Sequence, residues 1–426
     1  MKHLFLLSFT LVIILGCISA PLTAAPEEPT VQVSVPTIEP TRETLARPFP
    51  QHTSYAPDSI LPNHRTQEQL DDDVRTYYDY WKSTYVTEAG TNADGVVMYR
   101  VVLGKDEPTR STTVSEGQGY GMMIVPIMAG YDPDAQIIFD GMWAFVDAHR
   151  SEIDARLMDW NVPLEEGNAS AFDGDADIAF GLLLADAQWG SAGSINYKAE
   201  ASTMISGILE STIGAESHLP MLGDWVHVGE PQYTQFTPRS SDFMLVNFRA
   251  FRNATNNPVW DDVVLQSQIL MAAIQEQYSP VSGLMPDFIV NGAPAPENFL
   301  ENVTDGDYNY NAGRVPWRVG TDALLTGDSR SRLIVQNISH WIEASAEGDP
   351  LKIRAGYELS GEPLPNSDYF TTFFVAPMGV AAMNDPAQQE WLNAVYSSVY
   401  DNHIDYYEDS VNLLCMLVMS GNFWSP

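Results

Sequence analysis

The feature that most limits what this chain can fold into is a helical periodicity that begins at Gln67 and recurs to the C-terminus. Val74, Tyr77, Tyr78, Trp81 and Tyr85 fall at i, i+3, i+4, i+7 and i+11, which puts them on one helix face. Further helical stretches follow at approximately 117–130, 134–150, 174–189, 195–213, 240–253, 259–277, 311–325, 328–345, 371–384, 386–402 and 408–420, about a dozen in all. Several open on a capping residue, such as Ser240 and Asp328. Strand signals are few, the clearest at 95–104 and 283–292, where poor alternation predicts short hairpins on loops. No segment rich in Gly, Ser or Pro divides residues 65–426, so the pattern predicts one all-α domain. Twelve helices in six inner and six outer positions make a closed helical barrel, an (α/α)6 barrel, with a cleft built by the loops at one end.

The preceding residues read differently. "MKHLFLLSFTLVIILGC", residues 1–17, has a basic head at Lys2 and His3 and an apolar run from Leu4 to Leu15, too short to span a bilayer comfortably. This is the pattern of a secretory signal. Ile14-Leu15-Gly16-Cys17 resembles a bacterial lipobox, which predicts lipidation at Cys17 and a cell-surface lipoprotein, whereas cleavage near "LTAAP" at 22–26 would release a secreted protein. Residues 18–64, rich in Pro, Thr and Glu, predict a disordered tether ahead of a catalytic domain over 65–426. With only Cys17 and Cys415, an exported protein of this sequence relies on its core and not on disulfides. The chain is expected to be a monomer.

Composition narrows the partners. With 56 acids against 21 Lys and Arg, the formal charge of −35 repels phosphate backbones and anionic lipid, which argues against nucleic acid and leaves a lipid at Cys17 as the only membrane link. Such acidity serves solubility, or attraction of a polycationic substrate. The eight His are dispersed with no His-x-x-x-His and no Cys pair, so no zinc site is expected. There is also no Gly-x-Ser-x-Gly elbow, phosphate-binding Gly loop or dinucleotide fingerprint.

Paired carboxylates remain, in three places. In "TVSEGQGYGM", residues 113–122, Glu116 heads an apolar helix, where it is either a cap or an acid. The flanking Gly117, Gly119 and Gly121 cost that first turn roughly 1 kcal/mol each relative to Ala, so close backbone approach is expected there. In "SAFDGDADIAFGLLLADAQW", Asp173, Asp175 and Asp177 crowd the start of another apolar helix. Their spacing is that of a calcium loop, but Ile178 and Leu184 stand where that loop needs Gly and Glu. In "FLENVTDGDYNYNAGRVPWRVGTD", residues 299–322, Glu301, Asp305 and Asp307 precede Tyr310, Asn311, Arg314 and Trp317. Aromatic faces beside carboxylates and guanidinium groups suit a sugar, and an acid, a base and a groove suit glycoside hydrolysis.

These motifs, together with "SSDFMLVNFRAF", "YNAGRVPWRVGTD" and "FFVAPMGVAAM" in the same order, resemble glycoside hydrolase family 8 over roughly residues 67–424. The resemblance implies an (α/α)6 barrel and endo-type, inverting hydrolysis of β-1,4-linked glycans, of cellulose type or mixed linkage, without metal or organic cofactor. Chitosan and xylan are the alternatives within the family, and a non-catalytic glycan-binding lipoprotein is the alternative outside it. By position, Glu116 matches the proton donor and Asp173 the residue that holds the sugar at the cleavage point, with Asp175 in support. Many members carry an Asp base where this chain has Asn311, which cannot accept a proton, so Glu301 is the matching candidate, as in the chitosanase and lichenase subgroup, with Asp305 and Asp307 on the same loop as its rivals or else as turn formers around Gly306. Tyr120, Trp160, Asp175, Trp225, Tyr310, Asn311, Arg314 and Trp317 are expected to bind substrate. On this reading Gly117, Gly119 and Gly121 keep the wall beside Glu116 bare, and the apolar helix behind it raises its pKa.

Overall fold

The computed structural model describes residues 45–163, 168–227 and 231–426. Twelve α-helices lie among the described residues: α1 (Gln67–Tyr85), α2 (Ser115–Met128), α3 (Ala135–Ala148), α4 (Phe172–Trp189), α5 (Tyr197–Ser211), α6 (Leu245–Thr255), α7 (Val259–Gln277), α8 (Val315–Thr326), α9 (Ser329–Ser345), α10 (Thr372–Ala382), α11 (Gln389–Val399) and α12 (Tyr406–Met419). The even-numbered helices touch in succession and α12 closes the ring on α2, while each odd-numbered helix packs outside an even one. This is an (α/α)6 barrel.

Sequence decides which helix goes where. Every residue of α10 is buried, as are all residues of α2 but Glu116, so these helices are apolar around their whole circumference and belong inside. The outer α1 buries one face, the stripe of Val74, Tyr77, Tyr78, Trp81 and Tyr85 anticipated from its spacing, extended by Leu70. Its start is fixed by a capping box between Thr66 and Gln69, worth on the order of 1 kcal/mol. Asp328 caps α9 by accepting from the N–H groups of Arg330 and Ser331. Ser240 does not cap a helix: residues 240–242 form a short 3-10 turn, and α6 begins only at Leu245.

The close approach expected at the glycines of α2 is present, but protein and not a ligand comes close. A Cβ on Gly119 would lie 2.7 Å from the Cβ of Asp177, and one on Gly117 would lie 2.5 Å from the Tyr406 hydroxyl. Gly121 faces Val101 and Met142 in the same way. These positions let neighbouring helices approach closely; they do not line an open wall.

Two other expectations change. Residues 45–64 were expected within a disordered tether, yet Phe49 is buried, its N–H donates to Ala129 O at 2.7 Å, and the N–H of Ile60 donates to Met383 O at 3.0 Å. The hairpin pairs β1 (Val86–Thr91) with β2 (Val97–Val101), and β1 continues directly from α1, where no strand was expected. The leader, the lipobox and Cys17 lie outside the described residues.

Candidate active site

The starts of the inner helices meet at one place. Glu116 sits in the first turn of α2 and Asp173 in the first turn of α4, where the helix dipole favours a negative charge. The turn ahead of α6 brings in Arg239, the turn ahead of α8 brings in Asn311 and Arg314, and α12 opens with Tyr406.

Arg314 organises them. Its Nη1 donates to Glu116 Oε2 at 2.7 Å and to Asp173 Oδ2 at 2.8 Å, and its Nη2 donates to Asn311 Oδ1 at 3.0 Å. The Asn311 amide nitrogen donates to Glu301 Oε2 at 2.9 Å. Arg239 closes the circuit, with Nη1 3.3 Å from Asp173 Oδ2 and Nη2 3.5 Å from Glu301 Oε1. Arg314, Asp173, Arg239, Glu301 and Asn311 thus form a closed ring of polar contacts, with Glu116 attached at Arg314.

The two carboxyls that share Arg314 Nη1 are driven apart in acidity. Burial, assisted by the nearby Asp173, pushes Glu116 up to about 7 despite the opposing pull of Arg314, Arg239 and the Tyr406 hydroxyl at 3.3 Å. For Asp173 burial also acts upward, but Arg239, Arg314 and the Gly174 N–H outweigh it and hold the group down at about 2. Near neutrality the pair therefore offers a protonated acid beside a fixed anion, the separation acid–base chemistry needs. The Glu116 side chain is 18% exposed and that of Glu301 is 40% exposed, so both reach solvent.

The other candidates divide. Trp160 is 42% exposed, and its carbonyl accepts from the Ser115 N–H at the start of α2, which puts it next to Glu116 in the chain path. Tyr310 is half-buried, stacked on Phe373, with its hydroxyl 3.0 Å from that of Tyr369. Trp225 is half-buried against Tyr233. Tyr120 and Trp317, expected to bind substrate, have no free face: Tyr120 is fully buried with its hydroxyl 3.4 Å from Arg314, and Trp317 is 2% exposed with the Arg318 guanidinium 4.0 Å above its ring. Asp175 is also fully buried and accepts the Met158 N–H at 2.9 Å, a contact that ties a loop to α4. Asp177 pairs with Arg318 through two hydrogen bonds, at 2.9 and 2.5 Å.

Sequence reading missed Arg239, Tyr406 and Tyr369. Arg239 had a usable signal, a lone cation in "PRSSDFM" before an apolar helix in a chain with few cations. Among the described residues no cluster of three His, Cys, Asp or Glu side chains has the geometry of a metal site. A cavity of about 760 Å³ between α7 and α9 is lined by one acid, Glu276, and no second carboxylate, so it offers no carboxylate pair for glycoside hydrolysis.

The profile of the glycosyl hydrolases family 8 matches residues 70–421. The chain belongs to that family. It is 42% identical over 388 residues to a beta-glucanase of Niallia circulans, covering 89% of this chain and 91% of that one. It is 38% identical over 389 residues to an endoglucanase of Bacillus sp. strain KSM-330, covering 89% and 82%. Its fold superposes on the beta-1,3-1,4-glucanase of Paenibacillus sp. X4 with a TM-score of 0.84 at 40% identity, covering 89% of this chain and all of that one. This family 8 protein is therefore a glycoside hydrolase.

Proposed function

We propose that the protein is an endo-acting, inverting hydrolase of β-1,4-linked glucan, with mixed-linkage β-1,3-1,4-glucan as its first substrate and Glu301 as its base. The observation that carries this reading is the sharing of Arg314 Nη1 by two carboxyls of opposite acidity, with an exposed third carboxylate joined to them through Asn311.

In this mechanism the sugar at the cleavage point is held by Asp173, which stays ionised. Glu116 gives its proton to the glycosidic oxygen as the bond from that oxygen to C1 breaks. A water held by Glu301 and the Asn311 amide attacks C1 from the opposite face and passes a proton to Glu301. Acid, base and water complete the balance of atoms without a metal or cofactor. Trp160 and Tyr310 offer aromatic surface to neighbouring sugars. The names of the beta-glucanase and beta-1,3-1,4-glucanase relatives support the glucan reading.

The test is reducing-sugar release from soluble mixed-linkage glucan, carboxymethyl cellulose, chitosan and xylan, with NMR of the first-formed anomer. Release from mixed-linkage glucan as the α-anomer is expected. Preference for chitosan or xylan would overturn the substrate, and a β-anomer would overturn the mechanism. We propose further that the protein is exported, lipidated at Cys17 and monomeric, which labelled palmitate incorporation and sedimentation would test.

A further inference from the structure

A base carried on a loop is harder to hold in place than an acid carried on a helix. Glu116 and Asp173 ride on the first turns of α2 and α4, whose backbones are packed on all sides. Glu301 has no helix beneath it; it stands in the loop between β4 (Ala293–Pro294), which pairs with β3 (Ile289–Val290), and the turn ahead of α8. Its productive placement must come from elsewhere.

That loop is wrapped around one side chain. Asp305 Oδ2 accepts from the N–H of Leu300 at 2.7 Å and of Glu301 at 3.0 Å, and Oδ1 accepts from the N–H of Asn302 at 3.0 Å. The residue is 0% exposed, so the carboxylate faces its own loop and not the water that the base must deprotonate. The main chain of Asp305 is tied in turn: its carbonyl accepts the Phe288 N–H at 2.9 Å. A Cβ on the next residue, Gly306, would lie 2.3 Å from Ala295 O, so the chain there is pressed against its neighbour. Phe288 and Phe299 belong to a small apolar cluster apart from the main core. Asp305 thus connects a rigid patch of its own to the backbone that carries Glu301.

We propose that Asp305 is the positioning residue of the base: by gathering three successive N–H groups it fixes the backbone from which Glu301 reaches Asn311 and Arg239. The proposal rests on the reading of Glu301 as base. Without the carboxylate those N–H groups lose their acceptor and the loop relaxes. A misplacement of about 1 Å is enough to cost ~10²-fold in rate while the glycan still binds.

The experiment compares kcat and KM of Asp305→Ala, Asp305→Asn and Glu301→Gln on soluble β-glucan, with thermal unfolding and with added azide. Asp305→Ala should lower kcat ~10²-fold with KM within a few-fold of wild type. Asp305→Asn, whose amide oxygen can still accept, should recover part of the loss. Azide should restore turnover to Asp305→Ala, because it attacks C1 in place of water and needs no base: the C1–N bond forms, the C1–O bond breaks, Glu116 protonates the leaving oxygen, and an α-glycosyl azide results. Wild-type kcat in Asp305→Ala, or a loss that appears in KM and is not restored by azide, would overturn the proposal. If Asp305→Ala does not fold, Asp305→Asn should show a smaller loss in kcat that azide restores, and a loss that appears in KM and is not restored by azide would overturn the proposal. Full activity in Glu301→Gln would instead overturn the assignment of the base, and the two failures are told apart by which variant stays active.

Discussion

Asn311 turns its side-chain amide nitrogen to Glu301, 2.9 Å from Oε2, and its amide oxygen to Arg314. An amide at this position orients the carboxylate but cannot take its proton. Asn311→Ala should therefore impair the enzyme and leave measurable turnover, whereas Glu301→Gln should fall to near background, a loss of ~10²–10⁴-fold or more. Steady-state kinetics of the two variants decide it. A Glu301→Gln enzyme with wild-type kcat would transfer the role of base to another group.

The acid predicts a pH limit. Burial places Glu116 at about 7, and in the proposed mechanism its protonated form is the active one, so kcat/KM should decline above about pH 7. The Tyr406 hydroxyl lies 3.3 Å from Glu116 Oε1 and lowers that pKa by stabilising the anion. Tyr406→Phe should therefore move the alkaline limb of the kcat/KM profile to higher pH. A shift in the opposite direction would contradict the hydrogen bond's assigned effect.

The same group sets a dependence of stability on pH. Its folded pKa of about 7 lies above the ordinary 4.5, so the folded state holds the proton more tightly than the unfolded one. Stability from this group is complete below about pH 4.5 and is lost as the pH rises through 7, by an amount on the order of 3 kcal/mol. Glu116→Gln cannot titrate. The melting temperature of the variant relative to wild type should thus increase between pH 4.5 and pH 8, and a difference that stays constant would show that Glu116 is not held protonated.

How much of this could be read from the chain depended on the range of the interactions. Helix identity is a local property, and the stripe from Val74 to Tyr85 gave α1 its buried face because spacing alone determines it. The carboxylates Glu116 and Asp173 were visible because each stands in a motif, "TVSEGQGYGM" and "SAFDGDADIAFGLLLADAQW", that resembles the family's. The cation that joins them, Arg314, is 198 residues from one and 141 from the other, and its bridging position follows only from ring closure. Tyr406 was missed for the same reason, and Arg239, visible as a lone cation before an apolar helix, could be given no partner without ring closure. Gly119 was seen as a site of close approach, but sequence could not say whether a ligand or Asp177 on α4 came close. The Pro-rich residues 45–64 were misjudged because their order comes from pairing with distant carbonyls, not from an apolar period of their own.

Two tryptophans with the same sequence-level expectation should behave in opposite ways. Trp160 is 42% exposed beside the start of α2, so its ring is free to stack on a sugar. Trp317 lies 2% exposed within α8, covered by Arg318 at 4.0 Å and meeting Tyr120 edge-on at 6.1 Å. Trp160→Ala removes an aromatic platform at little cost to the core. It should raise KM for β-glucan roughly tenfold and leave the melting temperature nearly unchanged. Trp317→Ala opens a void beneath Arg318 and should cost about 3–5 kcal/mol of stability. It should also loosen Arg318, whose partner Asp177 lies on α4, the helix that carries Asp173. Its activity loss should thus appear in kcat together with a lower melting temperature. Thermal unfolding and steady-state kinetics on the two variants separate the cases. A Trp317→Ala enzyme with unchanged stability and a raised KM would return that ring to the substrate-binding surface.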